Sequence, residues 1–145
     1  MTNSSFNYAP GLLVWHSTDL VNWTPIARAL HALDGSVYAP DLVKYKGRYY
    51  IYYPLPEPTM CLCRQYPRPV EPTGETRPDR HRPGHVVGED GKRYLYVDKG
   101  AIAPLSDDGL KVTGPKKTVY EGWQFPKEWK TEGNGDMFLE GPKLL

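Results

Sequence analysis

YAPDLVKYKGRYYIYYP, residues 38–54, is the stretch whose reading decides the fold. DLVKY can form a short strand, Lys46-Gly47 supplies a tight turn, and YYIYY is built from residues that favour strands. Glycine removes the steric cost of the left-handed backbone that a two-residue hairpin loop demands. The stretch therefore predicts a β-hairpin. HVVGEDGKRYLYV, residues 85–97, follows the same plan, with Asp90-Gly91 at its turn.

The two hairpins are in step. Gly47 and Gly91 stand 44 residues apart, and so do Tyr50 and Tyr94. HSTDLVNWTPI (16–26) is echoed by PLSDDGLKVTGP (104–115), with Ser17 and Ser106 separated by 89, twice that spacing to within a residue. A period near 44 residues made of turn-linked strands suits the four-stranded antiparallel blade of a propeller. A single blade cannot bury both faces of its sheet, so blades are expected in series. About three periods fit into 145 residues, whereas propellers typically have about four to eight blades. The expectation is an incomplete propeller domain over residues 1–145.

Composition agrees with an all-β protein. The chain has 11 Tyr, 4 Trp, 14 Gly and 15 Pro, which supplies strand formers and many turns and leaves no long amphipathic helical run. Hydrophobic residues at 39% and charged residues at 24% indicate a globular chain. A formal net charge of +1 argues against nucleic-acid binding through phosphate neutralisation. No apolar run approaches the ~18 residues of a membrane-spanning helix, so no membrane partner is expected. MTNSSFNYAPGLL lacks the basic and apolar regions of a secretory leader, and the compartment stays open.

The middle is irregular. Seven prolines between Pro54 and Pro78 exclude a regular central strand through most of residues 54–84. MCLC is the one piece there that reads as a short strand. Alternation would place Cys61 and Cys63 on one face as two buried thiols, and two ligands are too few for a zinc site.

GLLVWHSTDLVNWTPIARAL, GSVYAPDLVKYKGRYYIYY, PGHVVGEDGKRYLYV and FLEGPKL together resemble successive blades of glycoside hydrolase family 43. The resemblance implies a five-bladed β-propeller hydrolase acting on arabinose- or xylose-containing glycans, as arabinofuranosidases and xylosidases do. It implies three acidic residues in a central cavity. The Ala-Pro-Asp pattern falls on Asp41, which would orient the proton donor and tune its pKa. The Glu-x-Pro pattern falls on Glu140, the general acid. The general base should precede the strand holding Trp15, yet Met1–Pro10 contain no Asp or Glu. A further departure is Arg82, where the family often has Asp before Pro83.

Inverting hydrolysis needs a carboxylic acid that protonates the departing oxygen and a carboxylate about 6.5–9.5 Å away that activates water across the sugar ring. Glu140 and Asp41 would supply the acid side of that pair. Trp15, Tyr38, His85 and Trp123 are the expected substrate-binding residues, by ring stacking or by contact with the cavity. The bland readings run alongside: Asp after Ala-Pro is a common turn cap, Glu before Gly-Pro a common loop charge, and any of these aromatics or His85 can be core. Glu121, Glu128 and Glu132 read as solvent charges, and Trp129 with Trp123 as a rim or an edge cover. GEDG (88–91) and SDDG (106–109) offer too few oxygens for calcium and read as hairpin turns. No cofactor is required, although the resemblance allows a structural cation such as calcium in the full fold. The expected partner is a pentose-containing oligo- or polysaccharide. The alternative is a noncatalytic carbohydrate-binding propeller, and beyond it a purely structural β-repeat module.

Overall fold

A computed structural model describes residues 1–8, 11–30, 36–54, 60–62, 83–97 and 100–119. Nine strands lie among them: β1 (Leu13–His16), β2 (Thr24–Arg28), β3 (Asp41–Tyr45), β4 (Arg48–Pro54), β5 (Met60–Leu62), β6 (Gly84–Val87), β7 (Arg93–Val97), β8 (Ala101–Pro104) and β9 (Lys117–Thr118). They form three antiparallel sheets in the orders β1-β2, β3-β4-β5 and β6-β7-β8-β9. The third is a complete four-stranded blade. MCL within the proline-rich middle is the strand β5, paired to β4.

Sheet equivalence follows from the turns. Between β1 and β2, Ser17 Oγ donates to Asp19 Oδ1 (2.9 Å), which accepts the Val21 N–H (2.9 Å). Between β8 and β9, Ser106 Oγ donates to Asp108 Oδ1 (2.6 Å), which accepts the Leu110 N–H (3.0 Å). Leu20 (φ 62°) and Gly109 (φ 73°) occupy matching left-handed positions, 89 residues apart like the two serines. The pair β1-β2 thus corresponds to the outer half of a blade.

The hairpin turns differ in length. Tyr45 pairs with Arg48 around Lys46 (φ 46°) and Gly47 (φ 77°), and positive φ at both central residues matches the twist of the strands. In the third sheet Gly88 N–H bonds Lys92 O (2.9 Å) around Glu89, Asp90 and Gly91, a loop one residue longer. The extra residue moves the inner strand by one. Gly84 therefore stands opposite Tyr96 as Asp41 stands opposite Tyr52, and His85 turns to the other face.

Alternation along β4 builds the core. Ile51 and Tyr53 pack with Leu12, Leu30 and Val37 towards the first sheet. Tyr50 and Tyr52 pack with Leu95, Val97 and Leu105 towards the third. Leu95 and Val97 lie 44 residues beyond Ile51 and Tyr53 and likewise face the preceding sheet. The repeat seen in the sequence is thus a repeat of packing direction.

One cation is buried in the second of these seams. Arg93 is 2% exposed, with its guanidinium carbon 4.4 Å and 4.3 Å from the ring centres of Tyr45 and Tyr50. Its Nη2 donates to Tyr52 Oη (2.9 Å), Nη1 to Asp107 O (3.2 Å) and Nε to His85 Nε2 (3.0 Å). A Cβ on Gly109 would overlap this guanidinium.

These positions give stability predictions readable by urea denaturation. Gly47→Ala meets no neighbour and should cost only the left-handed backbone penalty, about 1–2 kcal/mol. Gly109→Ala adds displacement of Arg93 and should cost about 2–5 kcal/mol. Leu20→Gly, at an exposed turn, should instead stabilise by up to about 1 kcal/mol. Tyr52→Phe leaves an Arg93 N–H unpaired and should cost about 1.5–3 kcal/mol. Equal effects of the two Gly→Ala changes would contradict the packing described for Gly109.

Candidate active site

Asp41 opens β3, the first strand of the second sheet, and is 2% exposed. Its approach is constrained. Ala39 adopts φ 45°, a strained conformation for a residue with a Cβ, and its N–H is donated to Ser4 Oγ (2.8 Å). Pro40 then fixes the chain's entry into the strand. Asp41 Oδ2 accepts the His85 backbone N–H at 2.8 Å, so the carboxylate bridges the first strands of two neighbouring sheets. This bond orients the carboxyl group.

His85 lies half-buried on this seam. Its ring stacks on Tyr52 (centroids 5.7 Å, 11° between planes) and tilts against Tyr45 (5.7 Å, 59°). Burial first, and the nearby Arg93 charge second, bring its pKa down to about 4. The imidazole is therefore neutral at neutral pH. Burial likewise pushes the Tyr52 phenol well above its ordinary pKa, so it keeps its proton; it donates to Gly109 O (3.3 Å).

The exposed carboxylates serve turns. Asp19 is held below the usual carboxylate range by the Asn22 backbone N–H, the Asn22 side chain, and then Val21 and Ser17. Asp90 is lowered chiefly by the Lys92 N–H and the Tyr94 hydroxyl, Asp108 by the Ser106 hydroxyl and the Leu110 N–H. Their oxygens thus accept local donors, as the hairpin reading of GEDG and SDDG expects. Among the described residues no group of three or more His, Cys, Asp or Glu side chains is placed to hold a metal ion.

Of the residues singled out in the sequence, the structure brings together Asp41 and His85. Tyr38 is half-buried three residues ahead of Asp41. Trp15 sits in β1, in a different sheet, with its indole N–H donated to Asn3 Oδ1 (3.2 Å). Glu140 and Trp123 lie outside the described residues, as do Arg82 and Cys63. Sequence reasoning missed Arg93 and Tyr52. A signal existed: Arg93 is in phase with Leu95 and Val97, so alternation puts a charge on the buried face of β7.

Comparison with known proteins bears on the same region. Residues 1–66 match the family described as glycosyl hydrolases family 43. The chain is 39% identical over 62 residues to the non-reducing end α-L-arabinofuranosidase BoGH43B of Bacteroides ovatus, a match covering 35% of this chain and 12% of that enzyme. It is 34% identical over 59 residues to the extracellular exo-α-(1→5)-L-arabinofuranosidase ArbA of Cellvibrio japonicus, covering 33% of this chain and 17% of that enzyme. The GH43 protein BlXynB from Bacillus licheniformis has a similar fold, with a TM-score of 0.72 at 23% identity over 86% of this chain and 29% of that one. The match thus spans only a minor part of each relative's length. Residues 1–66 are thus similar to glycoside hydrolase family 43, and the sheets have the fold of blades of a five-bladed β-propeller.

Proposed function

We propose that the chain carries the acid side of an inverting glycosidase acting on arabinose- or xylose-containing glycans. The observation that carries this reading is Asp41, a buried carboxylate at the start of a blade's first strand, held by a backbone N–H of the next blade. It occupies the Ala-Pro-Asp position where the family pattern calls for the residue that orients the proton donor. Glu140 is assigned as that donor from its Glu-x-Pro setting. The relatives named as arabinofuranosidases support a pentose-containing substrate.

In the proposed reaction Glu140 passes its proton to the departing glycosidic oxygen as the bond to the anomeric carbon breaks. Asp41, charged and fixed, keeps the donor aligned and favours its protonated form, because two adjacent negative charges repel. Attack from the opposite face needs a base-activated water. Residues 1–10 contain no Asp or Glu, so they supply no carboxylate for that step. A second reading is a carbohydrate-binding propeller without turnover.

Azide, a nucleophile that needs no base, separates the two. With an aryl arabinofuranoside or aryl xyloside plus azide, the chain should release the phenol and form a glycosyl azide of inverted configuration. With poor leaving groups, Glu140→Gln should lower that rate about a hundredfold or more, and far less with a nitrophenyl leaving group. Asp41→Asn should lower both rates about tenfold or more while its amide oxygen still accepts the His85 N–H. Equal losses for both leaving groups in Glu140→Gln would remove its role as donor. Saturable sugar binding with no azide product would leave the binding-module reading in its place.

A further inference from the structure

Arg93 settles where the imidazole proton of His85 resides. A guanidinium has only N–H donors and stays charged, so the nitrogen it meets must accept. That nitrogen is His85 Nε2, 3.0 Å from Arg93 Nε. In a neutral imidazole the single proton then sits on Nδ1. A second proton is disfavoured by burial and by the Arg93 charge beside the ring.

The ring can neither tumble nor flip freely. Tyr52 stacks on it, Tyr45 tilts against it, and its own backbone N–H is held by Asp41. Yet the imidazole is only half-buried, and among the described residues Nδ1 makes no hydrogen bond. A neutral N–H donor, fixed in orientation and unpaired beside a buried carboxylate, is prepared for an incoming acceptor.

We infer that His85 donates its Nδ1–H to a hydroxyl oxygen of the bound pentose, and that Arg93 is the positioning residue that sets this tautomer. The inference rests on the glycan reading of the Asp41 site. It also gives a use to a buried cation that the hydrolytic chemistry does not itself require. Among the described residues, the charged and titratable groups facing His85 are Arg93 on β7, Tyr52 on β4 and Tyr45 and Asp41 on β3.

Two independent measurements on the 145-residue chain test it. Long-range proton–nitrogen correlation spectra of the ¹⁵N-labelled protein at neutral pH should show His85 protonated at Nδ1 only. Arg93→Met should shift the equilibrium towards Nε2–H, and Arg93→Lys, which still donates, should restore Nδ1–H. The spectrum of the unsubstituted chain decides the tautomer even where a variant fails to fold. Separately, calorimetric titration with arabinobiose and xylobiose compares two amides. The Asn nitrogen reaches the Nδ1 position and the Gln nitrogen the Nε2 position. His85→Asn should weaken binding by less than about threefold and His85→Gln by about tenfold or more. An Nε2-protonated His85, a tautomer unmoved in folded Arg93→Met, or Gln serving as well as Asn overturns the inference and leaves the glycan reading standing. No binding of either disaccharide by the unsubstituted chain overturns both.

Discussion

A strand that is apolar on both faces cannot lie at a surface, and β4 is such a strand. Tyr50, Ile51, Tyr52 and Tyr53 are all at most 6% exposed, and alternation sends them in two directions. Each buried side chain of this size contributes about 1.5–3 kcal/mol, available only if a sheet covers each face. The middle sheet is therefore held between two others. Stacking in this way brings the starts of β3 and β6 side by side, within reach of a single hydrogen bond between Asp41 and His85. The candidate site is a product of that packing, since neither sheet alone places the carboxylate and its donor together.

The second seam contains a charge where the first is apolar. Taking a guanidinium out of water costs several kcal/mol, and the site offsets it without an ion pair. Among the described residues no carboxylate lies within salt-bridge distance of Arg93. Its donors meet a phenol, an imidazole and a carbonyl, and its flat face lies over two tyrosine rings, a contact that strengthens when water is excluded. Among the described residues its hydrogen-bond partners are neutral, and its charge favours the neutral form of His85 and the ionised form of the nearby Asp108. Gly109 makes room for this arrangement at a position where Leu20, in the first sheet, bears an exposed side chain.

Much of this was legible before any coordinates. YYIYY and the Lys46-Gly47 turn determine β3 and β4, and the 44-residue spacing of Gly47 and Gly91 marks equivalent hairpins. Asp41 could be singled out because the Ala-Pro-Asp pattern of the resembled family falls on it. The buried polar network was harder to read. Its members come from β3, β4, β6, β7 and the turn after β8, so no local pattern joins them. Arg93 would have looked like an ordinary exposed strand residue unless its phase with Leu95 and Val97 was taken seriously. The Glu140 and Trp123 assignments fall outside the described residues and rest on the sequence pattern.

Turn length carries a consequence that spacing alone conceals. A strict 44-residue repeat would make His85 the counterpart of Asp41. The longer loop at Glu89–Gly91 moves the pairing by one, and a shift of one residue exchanges the two faces of a strand. Gly84 thereby takes the place opposite Tyr96, and the His85 ring faces back across the seam to Tyr52 and Arg93. Had the two turns been equal, the imidazole would have pointed to the following blade and Arg93 would have lost its acceptor. The chemistry offered beside Asp41 is thus decided at the far end of the hairpin, by a single residue in a solvent-exposed loop.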